Sequence, residues 1–204
     1  DDIDANSPTI ASVAVADGTH SVGDTVVVTI TAGSSETGLT LAGSFNGQAL
    51  TNITESGGGT YTGTYTVVEG NSNVADGANV TTSITLTDAA GNASAATTAV
   101  ALSGESIDAN SPAAITSVSI PNSSMNVGDV VTVTITASET GLTFSGTPTV
   151  GGFTVGSLSD IGDNTYTAQF TVAEGGTDVA AGSDIPVSMI LADAAGNTTA
   201  TYTT

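Results

Sequence analysis

The sequence predicts an all-β protein made of two tandem sandwich domains, elongated and set end to end, and three observations carry that prediction. Apolar residues alternate with hydroxyl residues at period two along most of the chain. No segment carries a capped apolar stripe at helical spacing. Each recognisable motif occurs twice: Ile3-Asp4-Ala5-Asn6-Ser7-Pro8 returns as Ile107-Asp108-Ala109-Asn110-Ser111-Pro112, a shift of 104 residues. Val22-Gly23-Asp24 returns at Val127-Gly128-Asp129, and Asp88-Ala89-Ala90-Gly91-Asn92 at Asp193-Ala194-Ala195-Gly196-Asn197, both shifted by 105. Glu36-Thr37-Gly38-Leu39-Thr40 returns at Glu139-Thr140-Gly141-Leu142-Thr143, shifted by 103. The repeats assign residues 1–104 to one domain and 105–204 to the next. Copies this similar are expected within a longer tandem array.

Seven strands fit the first copy, at about 9–16, 24–32, 39–46, 48–55, 60–69, 79–88 and 93–102, with Gly, Asn, Asp and Ser clusters between them. In the fifth, Thr60 to Val67, alternation points Tyr61 and Tyr65 inward and the threonines outward; Tyr166 and Phe170 repeat the design. Pro186 stands at a strand start, where proline is tolerated. Seven short strands in about 100 residues, with turns every 8–12, read as an immunoglobulin-like sandwich.

The 204 residues include 20 Asp plus Glu, one His and no Lys or Arg, a formal charge of -20. Such a chain has no cation to neutralise phosphates, which excludes nucleic acid and direct contact with anionic membranes. Charged residues are only 10% of the chain, against roughly 25% in an ordinary domain. Acids are therefore not enriched; their basic counterparts are missing. Cysteine is absent, so neither copy is held by disulfides. No stretch reaches the roughly 20 apolar residues of a membrane span.

The acids Asp17, Asp24, Glu36, Asp76 and Asp88 fall at turns, Glu55 and Glu69 close strands, and strand interiors are expected to be uncharged. If strands alternate in direction, Glu36 and Asp88 flank the entering segment Asp2 to Asn6. Glu139, Asp193 and Asn197 likewise gather around Asp108 and Asn110, and Asp24, Glu69, Asp76 and Glu105 mark the exit end of the first copy. Two carboxylates 4 Å apart repel by about 4 kcal/mol at an effective dielectric of 20. Without a basic residue to pair with, they need solvent separation, raised pKa values or a metal. Carboxylate, amide and backbone oxygens suit Ca²⁺, whereas zinc and copper want Cys and His. A solvated turn and an acidic surface adapted to brine are the alternatives; the latter would spread acids along strand faces.

The domain-opening sextet, the Val-Gly-Asp turn, residues 173–182 and the Asp-Ala-Ala-Gly-Asn turn, at this spacing, resemble the extender tandem repeats of large RTX (repeats-in-toxin) adhesins, surface proteins of Gram-negative, often marine, bacteria. The resemblance covers essentially the whole chain. It implies bacterial immunoglobulin-like domains, an extracellular cell-surface location, neighbouring similar repeats as partners, and Ca²⁺ near the domain junctions. Carried onto this chain it implicates Asp4, Glu36, Asp88, Asp108, Glu139 and Asp193 as ligands, with Asn6, Asn110, Asp76 and Glu105. Ala181 replaces Asp76 in the second copy, so that role need not recur.

No enzymatic activity is expected. His20 has Met125 as its counterpart, and the Asp160/Asp163 pair is matched by Glu55 and Gly58. The sequence points to a spacer stiffened by Ca²⁺ that projects an adhesive tip. The alternative is a module that binds carbohydrate or ice directly through threonine rows such as Thr60, Thr62, Thr64 and Thr66. Outward threonines are also what a sheet uses when charge is excluded, no aromatic cluster marks a sugar platform, and a small-molecule ligand is not expected.

Overall fold

The computed structural model describes residues 3–204. The chain divides into two compact units, one ending at Asn110 and the other running from Ser111 to Thr204. Both are all-β.

The first unit contains β1 (Ile10–Val15), β2 (Gly18–His20), β3 (Thr25–Ala32), β4 (Thr40–Phe45), β5 (Gln48–Ala49), β6 (Thr51–Gly57), β7 (Thr60–Thr66), β8 (Asn79–Thr87), β9 (Thr97–Ala101) and β10 (Glu105–Ile107). Four strands in the order β1-β3-β7-β6 make one sheet, β5-β4-β8-β9 the other, and β10 pairs with β2 separately. Alternation does what the pattern predicts: Val26, Val28, Ile30, Tyr61 and Tyr65 are buried, while the threonines of β7 stand on the other face. Opposite them Phe45, Ile84 and Leu86 complete the core. A Cβ at Gly43 would collide with the carbonyl of Ser83, so only glycine lets β4 and β8 approach there.

The second unit contains β11 (Ser117–Ser119), β12 (Val130–Thr136), β13 (Thr143–Phe144), β14 (Thr149–Val150), β15 (Phe153–Thr154), β16 (Ser159–Gly162), β17 (Thr165–Thr171), β18 (Val187–Met189), β19 (Leu191–Ala192) and β20 (Tyr202–Thr203). Its sheets are β11-β12-β17-β16 and β15-β14-β18-β20, with β13-β19 as a third pair. Its core is built from Val133, Ile135, Tyr166, Met189 and Leu191.

Several expectations need correction. The strand read at 48–55 is two: β5 pairs with β4 and β6 with β7, so the chain changes sheets at buried Leu50, whose amide donates to Gly43. The strand read at 93–102 begins only at Thr97; before it Ala93 makes only an isolated bridge to Thr87 after the Asp88 turn. β2 has no alternating pattern that would mark it in the sequence. Glu55 and Asp160 lie inside β6 and β16, so strand interiors are not free of charge, and Glu105 opens β10. Residues 105–110, which open the second sequence repeat, pack with the first unit. There β10 runs parallel to β2, pairing Glu105 with Gly18 and Ile107 with His20.

Candidate metal centre

Acidic side chains of the first unit accept backbone amides at several turns, and three of these places bear on the predicted site. The first is the turn Ser103-Gly104-Glu105. Asp76 Oδ1 accepts the Gly104 amide at 2.8 Å, and Glu105 Oε2 accepts the Ser103 amide. Gly104 has φ +98°, and a Cβ there would lie 3.2 Å from the Asp17 carboxylate carbon. Three carboxylates from three segments thus surround one turn, and Glu105 is buried. The sequence reads Asp76 and Glu105 as ligands and Asp17 only as a turn acid; its placement here depends on β10 lying beside β2.

The second place is the Asp88 turn. Asp88 accepts the Asn92 amide at 2.8 Å and its side-chain N–H at 3.0 Å, and Asn92 Nδ2 also approaches the Asp4 carbonyl at 3.4 Å. These bonds, the Asn92 side chain foremost, hold the Asp88 carboxyl below its ordinary pKa. The entering segment does lie at the Asp88 turn, linked through an asparagine. Asp4 Oδ1 accepts the Asn6 amide at 3.0 Å. Asp2, placed in this segment by the sequence, lies outside the described residues. Asp193 repeats the turn in the second unit: Oδ1 takes the amides of Ala195, Gly196 and Asn197, and Oδ2 takes Asn197 Nδ2 at 3.1 Å. Both aspartates therefore close a loop by accepting N–H groups, a role with a cause of its own.

The third is the Glu36 loop. A buried tyrosine holds it: Tyr61 donates to the Glu36 carbonyl at 3.1 Å and accepts the Leu39 amide at 3.0 Å. In the second unit Tyr166 donates to the Glu139 carbonyl at 2.8 Å and accepts the Leu142 amide at 3.0 Å. Glu55 grips the same loop through the Gly38 amide, and Asp160 does so through Gly141. Glu55 is the counterpart of Asp160 in the first repeat, and their shared role is to fasten this loop.

Asp108 and Asn110 belong to the first unit. The Asp108 amide donates to the His20 carbonyl at 2.9 Å, Asp108 Oδ1 accepts the Asn110 amide, and Asn110 Nδ2 donates to Asn73 Oδ1 at 2.7 Å. Glu139 and Asp193 are in the second unit. The oxygen-only donors are of the kind a hard cation prefers. Among the described residues no three carboxylate, imidazole or thiolate groups converge to hold one ion. A bound cation would draw its remaining ligands from amide and backbone oxygens.

The threonine row is engaged across strands: Thr51 meets Thr64 at 2.9 Å and Thr54 meets Thr62 at 2.8 Å, with Asn52 donating to Thr64. These hydroxyls tie β6 to β7.

No family model and no curated protein matches the chain. Among solved structures it is similar to fibronectin(III)-like modules of Clostridium thermocellum CbhA, at 16% identity and TM-score 0.38 over 96% of this chain and 90% of that one. It is similar to an I-band fragment of titin, at 9% identity and TM-score 0.39, covering 94% of this chain and 64% of the other. A third similarity is to the Yersinia pseudotuberculosis adhesin InvE, at 20% identity and TM-score 0.31 over 97% and 57% of the two chains. At these scores none of the three bears on function.

Proposed function

We propose that the chain is a pair of structural extender repeats of a bacterial cell-surface adhesin, stiffened by Ca²⁺ and serving to hold an adhesive tip away from the cell. The observation that supports this reading most is the Ser103-Gly104-Glu105 turn. It leads into the next sequence repeat, it is ringed by Asp17, Asp76 and Glu105, and the chain has no lysine or arginine to balance them. A divalent cation supplies there the positive charge the chain lacks. Asp76 or Glu105 would hold it together with backbone and amide oxygens, Asp17 adding negative charge beside the turn, with Asp108 and Asn110 close by in sequence. Asp4 and Asp88 offer a second place at the start of the first unit, and Glu36, Asn6, Glu139 and Asp193 remain candidates by resemblance. Binding to the folded state alone stabilises by RT ln(1 + [L]/Kd). Extracellular calcium modules bind with Kd near 10⁻⁴–10⁻³ M, so such a protein is loose at intracellular calcium and stiff outside.

Melting temperature and small-angle scattering in millimolar Ca²⁺, in chelator and in NaCl of matched ionic strength test this. A gain in melting temperature and maximum dimension specific to Ca²⁺ is expected. Identical values in calcium and chelator would sink it, and full recovery by NaCl would assign the acids to salt adaptation instead.

A further inference from the structure

Aspartate is followed by glycine only twice in the sequence, in Val15-Ala16-Asp17-Gly18 and Val74-Ala75-Asp76-Gly77. These segments are far apart along the chain, yet both meet residues 102–104. The Gly18 amide donates to the Gly104 carbonyl at 3.0 Å, and the Gly77 amide donates to the Leu102 carbonyl at 3.1 Å. Their carboxylates are gathered at the same turn. Asp76 Oδ1 accepts the Gly104 amide at 2.8 Å, and a Cβ at Gly104 would lie 3.2 Å from the Asp17 carboxylate carbon. The second repeat has no such pair: Ile120-Pro121-Asn122-Ser123 and Val179-Ala180-Ala181-Gly182 stand at the corresponding positions.

An Asp-Gly step is the one at which a main chain most easily attacks its own side chain, because glycine has no Cβ to shield its nitrogen or to restrict the backbone angles that ring closure needs. The Gly nitrogen bonds to the Asp Cγ, and the hydroxyl of the protonated carboxyl leaves with the amide proton as water. The product is a five-membered imide. Water then adds at the main-chain carbonyl of the imide and breaks its bond to the Gly nitrogen. The chain now continues through Cγ, one carbon longer, as isoaspartate with a free α-carboxylate. Water is the only reagent, and both aspartates are exposed to it. The folded turn opposes the first step, since each Gly N–H is committed to a carbonyl and Asp76 is engaged by the Gly104 amide.

From this convergence we propose that Asp17-Gly18 and Asp76-Gly77 are paired isoaspartate-forming sites, held inert by residues 102–104 and released together when that turn opens. An added main-chain carbon before Gly18 or Gly77 displaces the amide that the turn receives. The pairing of β2 with β10, which begins at Gly18 and Glu105, then does not re-form. Isomerisation is thus a one-way covalent record of the turn having opened. It requires no metal, so it is tested in chelator, and the calcium reading is judged separately by melting and scattering.

The full chain is incubated in heavy-oxygen water, native, across a urea series, and as Glu105→Ala, which removes the buried acceptor of the Ser103 amide. Peptide mapping with electron-transfer fragmentation reads isoaspartate and incorporated label at Asp17 and Asp76. Both should react about tenfold or more slowly in the native chain than in the unfolded one, and Glu105→Ala should speed both by about fivefold or more. Asn46-Gly47 reports global unfolding, because Asn46 Nδ2 is held by Tyr65 Oη at 3.0 Å and by the Ser72 carbonyl at 2.9 Å and deamidates only when the core opens. In the parent chain below the urea midpoint, both aspartates should take up label while Asn46 stays intact. Equal rates in the native and unfolded chains, a variant in which neither site or only one is faster, or labelling that merely follows Asn46 through the urea series would each overturn the proposal.

Discussion

The Tyr61 hydroxyl donates to the Glu36 carbonyl at 3.1 Å while accepting the Leu39 amide at 3.0 Å, so one buried phenol satisfies both polar ends of a loop that carries an acid. Tyr166 does the same for Glu139 and Leu142. Tyr61→Phe keeps the ring packing and strands one buried amide, a loss of about 1–3 kcal/mol. Urea unfolding should show a lower midpoint at unchanged slope; a midpoint equal to the parent's would mean that water replaces the hydroxyl.

Asn73 offers one oxygen to two donors, the Ala109 amide and Asn110 Nδ2, each at 2.7 Å. Asn73→Ala should release residues 105–110 at a cost of about 1–2 kcal/mol, seen as faster amide exchange at Ile107 and Ala109. Asn73→Asp, which the second unit carries naturally at 178, should restore most of the protection. If alanine and aspartate behave alike, the side-chain acceptor is not what holds the segment.

Asp88 contributes to stability in a direction fixed by its hydrogen bonds, which lower its pKa from 3.8. That contribution is complete above the ordinary value and is lost as pH falls through the depressed one. Asn92→Ala should therefore lower the melting temperature at pH 5 more than at pH 2.5. At the alkaline end Tyr65 and Tyr166, raised from 10.0 by burial, favour the folded state only while protonated. Stability should fall as pH climbs from about 10 through their raised values, followed by tyrosinate absorbance alongside circular dichroism.

Asp76 shares the Gly104 turn with Glu105 and Asp17. Asp76→Asn retains an oxygen for the Gly104 amide and removes a charge. In chelator this variant should melt at or above the parent temperature. In millimolar Ca²⁺ it should lose part of a gain that, at roughly 10–100 times Kd, amounts to about 1.4–2.7 kcal/mol. An equal calcium gain in parent and variant would remove Asp76 from the ligand set.

Leu86 lies at the centre of the first core with no exposed surface. Leu86→Ala should cost about 2–5 kcal/mol and unfold the first unit. The melting transition of the second unit reads whether the two share stability.

The period-two alternation of Tyr61, Gly63 and Tyr65 against Thr60, Thr62 and Thr64 was sufficient to place β7 and its inward face, because a buried sheet face admits only one register. The duplicated motifs were sufficient to reveal two like units. Contacts between distant segments were not legible in this way. Nothing local marks Gly18–His20 as a strand: it becomes one through hydrogen bonds to Glu105–Ile107, almost ninety residues away. The same pairing sets Asp17 beside Gly104 and carries the start of the second repeat into the first unit. Alternation reports which face of a strand is buried, since that depends on its own side chains. Which backbone a short, unpatterned segment pairs with depends on where unsatisfied N–H and C=O groups are left once both sheets have formed, and that is decided only in three dimensions.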